Sequence, residues 1–408
     1  MMPQDEARGS AGGGCRHRDA GGGGMQIAER TPALYIDGNR VRKSPYWEAT
    51  ERHGALSYDV YNHMYIPGHF FDPVEEYWQI VNHVALWDVS VERCLEITGR
   101  DGFALANRLT PRDLGRCAVG QGRYVVITAD DGGIVNDPVL LRLGENHFWL
   151  ALADSDALLW ARGIAAGSGL DVTIREADAW PVQVQGPKSR DVLRALFGAA
   201  IDGIKYYWTL QTELDGIPVV VSRTGWTAEL GYEVYLRDPS RGVELWERIL
   251  AAGKPFEIRP TGPSDLRRME AGIFNYGSDM TLEHNPFEVT GLERLVEPKQ
   301  ADYVGRAALE RIRAEGVRRK LVGIEIEGPP LGTELAERWP VEASGRRVGT
   351  VTNAVFSPRL RRNIGYAWVP IELSAVGTAL GVARREGTIA AKVVAMPFLD
   401  PGKRIPKA

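Results

Sequence analysis

The chain has 408 residues, 25% charged and 44% hydrophobic, with 49 basic and 53 acidic side chains and a net charge of -4, the proportions of a globular protein of two or three domains. That balance leaves no basic surplus for a phosphate backbone, which disfavours nucleic acid as a partner, and no stretch reaches the roughly 18 uninterrupted apolar residues of a membrane span. Three cysteines, Cys15, Cys94 and Cys117, without CxxC spacing argue against a disulfide framework and a cysteine zinc site, and the expected compartment is a reducing cytoplasm.

Eight of the 46 glycines fall in residues 1–24, a charge-balanced segment without apolar periodicity that reads as a disordered tail. An extended lead-in follows to residue 45, and compact structure is expected from Tyr46. Two units of the same order come next. The first has a strand at Cys94–Thr98, a helix over Asp101–Leu109, strands around Tyr124–Thr128, Pro138–Leu143 and Phe148–Ala153, and a helix from Ser155 to Ala166. The second has a strand at Val182–Gln185, a helix over Ser189–Leu196, strands around Tyr207–Leu214, Pro218–Arg223 and Tyr232–Leu236, and a helix over Arg241–Ala252. At an offset of 87 residues, Ile97, Gly99, Leu105, Ala106 and Leu109 face Val184, Gly186, Val192, Leu193 and Leu196. Such self-similarity predicts two related α+β halves, about 46–178 and 179–317, around a shared interface of the kind that often holds a ligand. Helices are expected over Ser264–Ile273 and Arg306–Ala314. From 318 to 408 nearly every segment alternates apolar and polar residues between Gly, Pro and Asn breaks, which predicts a small antiparallel β-barrel.

The chain lacks a GxGxxG between strand and helix, a GxxxxGK[ST] loop and any HExxH or HxH pair, so dinucleotide, nucleoside-triphosphate and simple metal mechanisms are disfavoured and no metal site is assigned. What remains is a set of polar residues at turns between apolar strands. In Asp130-Asp131-Gly132-Gly133-Ile134-Val135-Asn136-Asp137-Pro138, the Asp-Gly-Gly core is a hairpin turn. Asn136 and Asp137 then enter the return strand, where the carboxylate either caps the turn or faces a ligand. In Ser222-Arg223-Thr224-Gly225-Trp226 through Tyr232-Glu233-Val234, Glu233 points to the face opposite Tyr232 and Val234, where burial would require hydrogen-bonding partners; a solvated strand face is the other reading. In Arg267-Arg268-Met269-Glu270, pairing between the charges is the simplest role.

Taken together, WDVS at Trp87–Ser90, the GGIVNDP run, QGPKS from Gln185, SRTGWTAELGYEVY from Ser222, RRMEAG, YGSDM, NPFEV and FSP at Phe356–Pro358 resemble, in family order over about 46–400, the T-protein (aminomethyltransferase) superfamily of tetrahydrofolate-dependent one-carbon transferases. Within it the chain is most similar to the dimethylsulfoniopropionate demethylase branch, through Tyr61-Asn62-His63-Met64, Asn82-His83, Thr110-Pro111-Arg112-Asp113-Leu114, Asn136-Asp137-Pro138-Val139 and Leu152-Ala153-Asp154-Ser155-Asp156. It departs from the glycine-cleavage T-protein at the hairpin, which carries Asp-Asp there, and at Thr261-Gly262-Pro263-Ser264, which is shorter and lacks the folate-contacting arginine.

The resemblance implies a three-domain clover leaf of α+β class with folate in a central channel. It implies Asp137 as the catalytic residue beside N5 of the pterin, Glu233 on the pterin amino and ring N–H groups, and Tyr124, Trp226, Arg223 and Asn136 around tetrahydrofolate, the methyl acceptor. The methyl donor would be an onium compound such as dimethylsulfoniopropionate. Aromatic faces suit such a cation, and the candidates are Tyr61, Tyr65, Trp87, Tyr207, Trp208 and Trp226, with His63 beside them. The alternatives are an aminomethyltransferase served by a lipoylated carrier protein, a demethylase of a methylated amine, and a non-catalytic folate-binding protein. A carrier is not expected, since Arg359, Arg361 and Arg362 form the one obvious basic cluster, and a homodimer remains open.

Overall fold

Alternation within each strand decides how the layers stack. In the computed structural model, which describes residues 39–408 apart from 333, 334 and 336, the first unit forms a five-stranded antiparallel sheet in the order Thr173–Glu176, Cys94–Thr98, His147–Ala151, Val139–Gly144, Gly122–Tyr124. Leu95, Ile97, Phe148 and Leu150 point to one face and are covered by the helices Gly102–Leu109 and Ala157–Ala166 through Leu105, Ala106, Leu109, Ala157 and Ala161. The second unit repeats the plan in the order Thr209–Leu214, Ile217–Ser222, Gly231–Leu236, Trp180–Gln185, then adds Val84–Asp88 and a parallel edge strand, Ile258–Pro260. Its inward set, Val182, Val184, Tyr232 and Val234, packs under Ser189–Phe197 and Gly242–Gly253. The opposite faces of the two sheets meet each other: Cys94, Leu141, Trp149 and Ala151 pack on Val220 and Tyr235, with the Trp149 and Tyr235 rings 6.0 Å apart.

The C-terminal alternating segments close into a six-stranded barrel, ordered Arg319–Ile326, Arg362–Pro370, Arg346–Ser357, Pro340–Ala343, Ala379–Arg384, Gly387–Val394. Closure pairs the edges that an open sheet would leave exposed. The barrel is joined to the rest by a separate core in which Leu266, Met269 and Phe274 meet Leu321, Val355, Ile364 and Tyr366.

Several elements differ from expectation. Compact structure before Cys94 includes the helix Trp47–Arg52, the hairpin Ser57–Tyr61 with Met64–His69, and the helix Pro73–Asn82, capped by Asp72 with proline in its first turn. The helix expected over Ser264–Ile273 is Asp265–Glu270: Ser264 caps it, and Gly272 at φ 67 ends it. Pro340–Ala343 is a barrel strand too short to show alternation. The tail at 1–24 and most of the lead-in to 45 lie outside the described residues. Among those described, no helix is long and apolar enough to cross a membrane.

Candidate functional site

One cavity, of about 240 Å³, is lined by both halves and by the segments around residues 267–276, 290–294 and 396–403. Into it the hairpin after Ile127–Thr128 delivers Asp137. Gly132, at φ 89, lets the chain turn, and Asp131 closes the turn by accepting from the Gly133 N–H at 2.9 Å. The return strand then breaks, because Pro138 offers no N–H to a ladder: Ile134–Asn136 ends just before Asp137 and Val139–Gly144 begins after Pro138. Asp137 is half-buried, and the Tyr124 hydroxyl donates to its Oδ2 at 2.8 Å. Burial pushes its carboxyl up to about 7, against the lowering pull of that hydrogen bond.

Glu233 comes from the second half, buried, on the strand face that looks toward the first sheet. Its cross-strand neighbour Gln183 donates to Oε1 at 2.8 Å, and Thr224 and Tyr235 donate to Oε2 at 2.5 and 2.8 Å. Burial raises its carboxyl, and the three donors pull the other way. The loop before this strand is held by Gln185, whose amide donates to the carbonyls of Thr224 and Tyr232 and accepts from Thr227. A Cβ on Gly225 or Gly231 would lie 2.2 Å from that amide, so the two glycines let the loop close over it and set Trp226 at the cavity wall.

The structure brings Asp137, Glu233, Tyr124, Trp226, Tyr61 and Tyr207 together around the cavity and places the other candidates elsewhere. Arg223 turns away and donates to the carbonyls of Ile204, Pro406 and Ala408, which hold the C-terminal segment. Asn136 is buried behind the lining, where its side chain grips Ala153 and Ser155 and thereby fixes a stretch of wall. In the turn Asn62-His63, both residues have positive φ, at 48° and 63°; Asn62 docks the hairpin on the Val91, Leu152 and Ala153 carbonyls, while His63 is exposed. Tyr65 packs tilted against Trp47 and edge-on to Tyr58. Trp87 lies beneath Trp226 among Ile80, Ala85 and Val89, and Trp208 packs against the second-half core.

Sequence reasoning missed Glu92, Gln183, Tyr206, Arg267, Arg294 and Lys403, which also line the cavity. Gln183 had a signal, a polar residue alternating with Val182 and Val184. Arg267 belongs to a buried lattice: its Nε donates to Glu229 at 2.8 Å, and Glu270 accepts from Tyr77 at 2.8 Å and from Ser357 of the barrel at 2.5 Å. Next to it Arg268 pairs with Asp279 at 2.7 Å, both fully buried. The RRMEAG segment is thus the joint that fixes the barrel against the cavity.

The chemistry of this donor set fits a reduced folate. Two carboxylates of opposite construction, one satisfied by donors and one poised near neutrality, suit a heterocycle rich in N–H groups beside a nitrogen that loses a proton. At about 240 Å³ the volume lies just below the range of small-molecule sites, roughly 300–1,000 Å³. No group of three or more metal-ligating side chains occurs among the described residues.

Comparison with known proteins agrees with this layout. The family pattern described as the GCVT N-terminal domain matches residues 46–300, and the glycine cleavage T-protein C-terminal barrel domain matches 319–400. The chain is 36% identical to the dimethylsulfoniopropionate demethylase DmdA of Ruegeria pomeroyi, over 87% of this chain and 96% of that protein. It is 30% identical to an aminomethyltransferase of Desulfitobacterium hafniense, over 88% and 98%. Among solved structures, the glycine cleavage system aminomethyltransferase T of Bartonella henselae superposes with a TM-score of 0.79 at 23% identity, over 88% of this chain and 98% of that one.

Proposed function

The chain belongs to the glycine-cleavage T-protein family, and from that premise we propose that it moves a methyl group from an onium donor, dimethylsulfoniopropionate or a chemically similar cation, to tetrahydrofolate. Use of tetrahydrofolate and one-carbon transfer belong to the family as a whole. Tetrahydrofolate supplies the nucleophilic nitrogen, N5. The observation that carries the finer reading is Asp137: a carboxyl raised to about 7, held by Tyr124 and facing the same cavity as Glu233.

Each side chain then has a definite task. Glu233, fixed by Gln183, Thr224 and Tyr235, presents its remaining acceptor capacity to ring N–H groups. Asp137, near half-ionised at neutral pH, accepts the proton displaced from nitrogen as the new carbon–nitrogen bond forms, a contribution of about 10²–10⁴-fold when such a base is well placed. Tyr61, Tyr206, Tyr207 and Trp226 narrow the cavity and align the donor, so that the main gain is positional. A sulfonium leaves as a neutral thioether and needs neither a metal nor a general acid.

The similarity to the demethylase over nearly the whole chain supports this reading. The deciding experiment incubates purified protein and tetrahydrofolate with a panel of sulfonium and methylated-amine donors and follows 5-methyltetrahydrofolate by mass spectrometry. Formation from dimethylsulfoniopropionate is expected; folate binding without product from any donor refutes the proposal.

A further inference from the structure

Glu92 stands between the strands Val84–Asp88 and Cys94–Thr98, half-buried, in the wall of the cavity. It differs from its neighbour Glu233 in what holds it. Glu233 receives three hydrogen bonds; among the described residues the Glu92 carboxylate has no hydrogen-bond donor and no ion-pair partner. The titratable groups that face it are Glu233 and Tyr235 from the strand Gly231–Leu236, Cys94 from the strand that follows it, and Tyr61 from the N-terminal hairpin. None is a cation. Arg267, Arg294 and Lys403 line the same cavity, but Arg267 pairs with Glu229 and, among the described residues, none of the three is within ion-pair distance of Glu92. Burial and the charge of Glu233 hold the Glu92 carboxyl well above the usual carboxylate range.

An enclosed carboxylate without donors, in a cavity walled by Tyr61, Tyr206, Tyr207 and Trp226, lacks one thing that would let it ionise: a positive charge beside it. Aromatic faces and a single carboxylate are what an alkylated cation prefers. We propose that Glu92 is the counter-charge for the positive sulfur or nitrogen of the methyl donor and selects cationic donors over neutral molecules of the same shape. The inference rests on the onium reading above. It also fixes where in the reaction Glu92 acts. As the carbon–sulfur bond breaks, its electron pair stays on sulfur, the methyl carbon bonds to the acceptor nitrogen, and the proton of that nitrogen passes to Asp137. The positive charge is shared between sulfur and nitrogen in the transition state and leaves with the proton, so Glu92 holds substrate and transition state alike and loses its hold on the neutral thioether.

The test uses Glu92→Gln and Glu92→Asp in the full chain, with dimethylsulfoniopropionate as substrate and 4-methylpentanoate as a competitor in which carbon replaces the charged sulfur. For Glu92→Gln, KM is expected to rise about tenfold or more with kcat within about twofold, since a uniform binding interaction has been removed, and Glu92→Asp should recover part of it. The inhibition constant of 4-methylpentanoate and the affinity for tetrahydrofolate should not change. If Glu92→Gln weakens the sulfonium and its carbon analogue equally, or neither, the role of Glu92 is refuted while the onium reading stands. If the wild type transfers a methyl group from no onium donor, the onium reading falls instead. Should the variants not fold, calorimetry of the wild type in two buffers of different protonation enthalpy decides: proton release on binding dimethylsulfoniopropionate and none with 4-methylpentanoate supports the proposal, and identical proton exchange for both overturns it.

Discussion

Asp137→Asn separates what the carboxyl does for catalysis from what it costs the fold. The amide keeps an oxygen for the Tyr124 hydroxyl, so the 2.8 Å hydrogen bond survives, but it cannot take a proton. Methyl transfer should therefore fall by about 10²–10⁴-fold, with tetrahydrofolate still bound. Stability should move the other way. The folded carboxyl is raised to about 7, whereas in the unfolded chain it titrates near 3.9. Between those values the native state holds a proton that the unfolded state has released, so this group's contribution to wild-type stability declines as pH rises and levels off above the folded value. Each unit is worth about 1.36 kcal/mol, and the stretch from about pH 5.5 to about pH 8, through the folded value, thus removes about 2 kcal/mol from the wild type. The variant carries no such term, so its stability relative to wild type should climb by about that amount over the interval. Urea denaturation of both proteins at half-unit steps from about pH 5.5 to pH 8 reads the difference through the midpoint, provided the slopes agree. A difference that stays flat across this range would refute a raised carboxyl at position 137 and, with it, its assignment as the base.

Glu233→Gln replaces an oxygen that accepts from Thr224 and Tyr235, or from Gln183, with an N–H₂ that confronts a donor; folate affinity should fall about 10- to 100-fold, measured by fluorescence titration, and an unchanged affinity would mean that Glu233 does not contact the pterin. Gly262→Ala would set a Cβ 1.6 Å from the Gly68 carbonyl oxygen. Backbone cannot yield as a flexible side chain does, so a loss of about 3 kcal/mol or more is expected, seen as a large drop in Tm by calorimetry; a Tm within about two degrees of wild type would show that the two segments separate at little cost.

Much of this arrangement was legible because alternation is a local property. Tyr232 and Val234 on one face and Glu233 on the other follow from strand geometry alone, and the structure places them so. The GGIVNDP hairpin was legible for a similar reason: the turn needs glycine and the strand cannot continue through Pro138. What was not legible depends on contacts between distant segments. Arg223 sits in the same motif as Trp226, yet its direction is decided by carbonyls of Pro406 and Ala408. His63 and Tyr61 are two residues apart, and the docking of Asn62 on Val91 and Ala153 sends one to solvent and the other to the cavity. Glu92 follows the WDVS segment with no pattern to mark it, and only the approach of Glu233 from the other half gives it an environment.

The repeated halves contribute to the cavity in different ways. Glu96 faces Trp149 across the first sheet as Gln183 faces Glu233 across the second, and in each unit these residues occupy equivalent strands on the face turned toward the other half. In the first half the carboxylate is Glu96, and it is consumed: His147, Trp149 and Arg175 all donate to it, and its acidity is strengthened rather than weakened. The indole of Trp149 then fills the interface against Tyr235. In the second half the carboxylate has moved to the other strand, and its partners are the neutral Gln183, Thr224 and Tyr235, which hold it without neutralising its charge. Glu233 therefore keeps acceptor capacity that faces the cavity where Glu96 does not. The first half contributes through the broken strand at Asp137 instead, a position set by Pro138 rather than by the repeat. A chain with two equivalent polar pairs has thus closed one as structure and left the other facing the cavity, where Glu233 stands with Asp137 and Glu92.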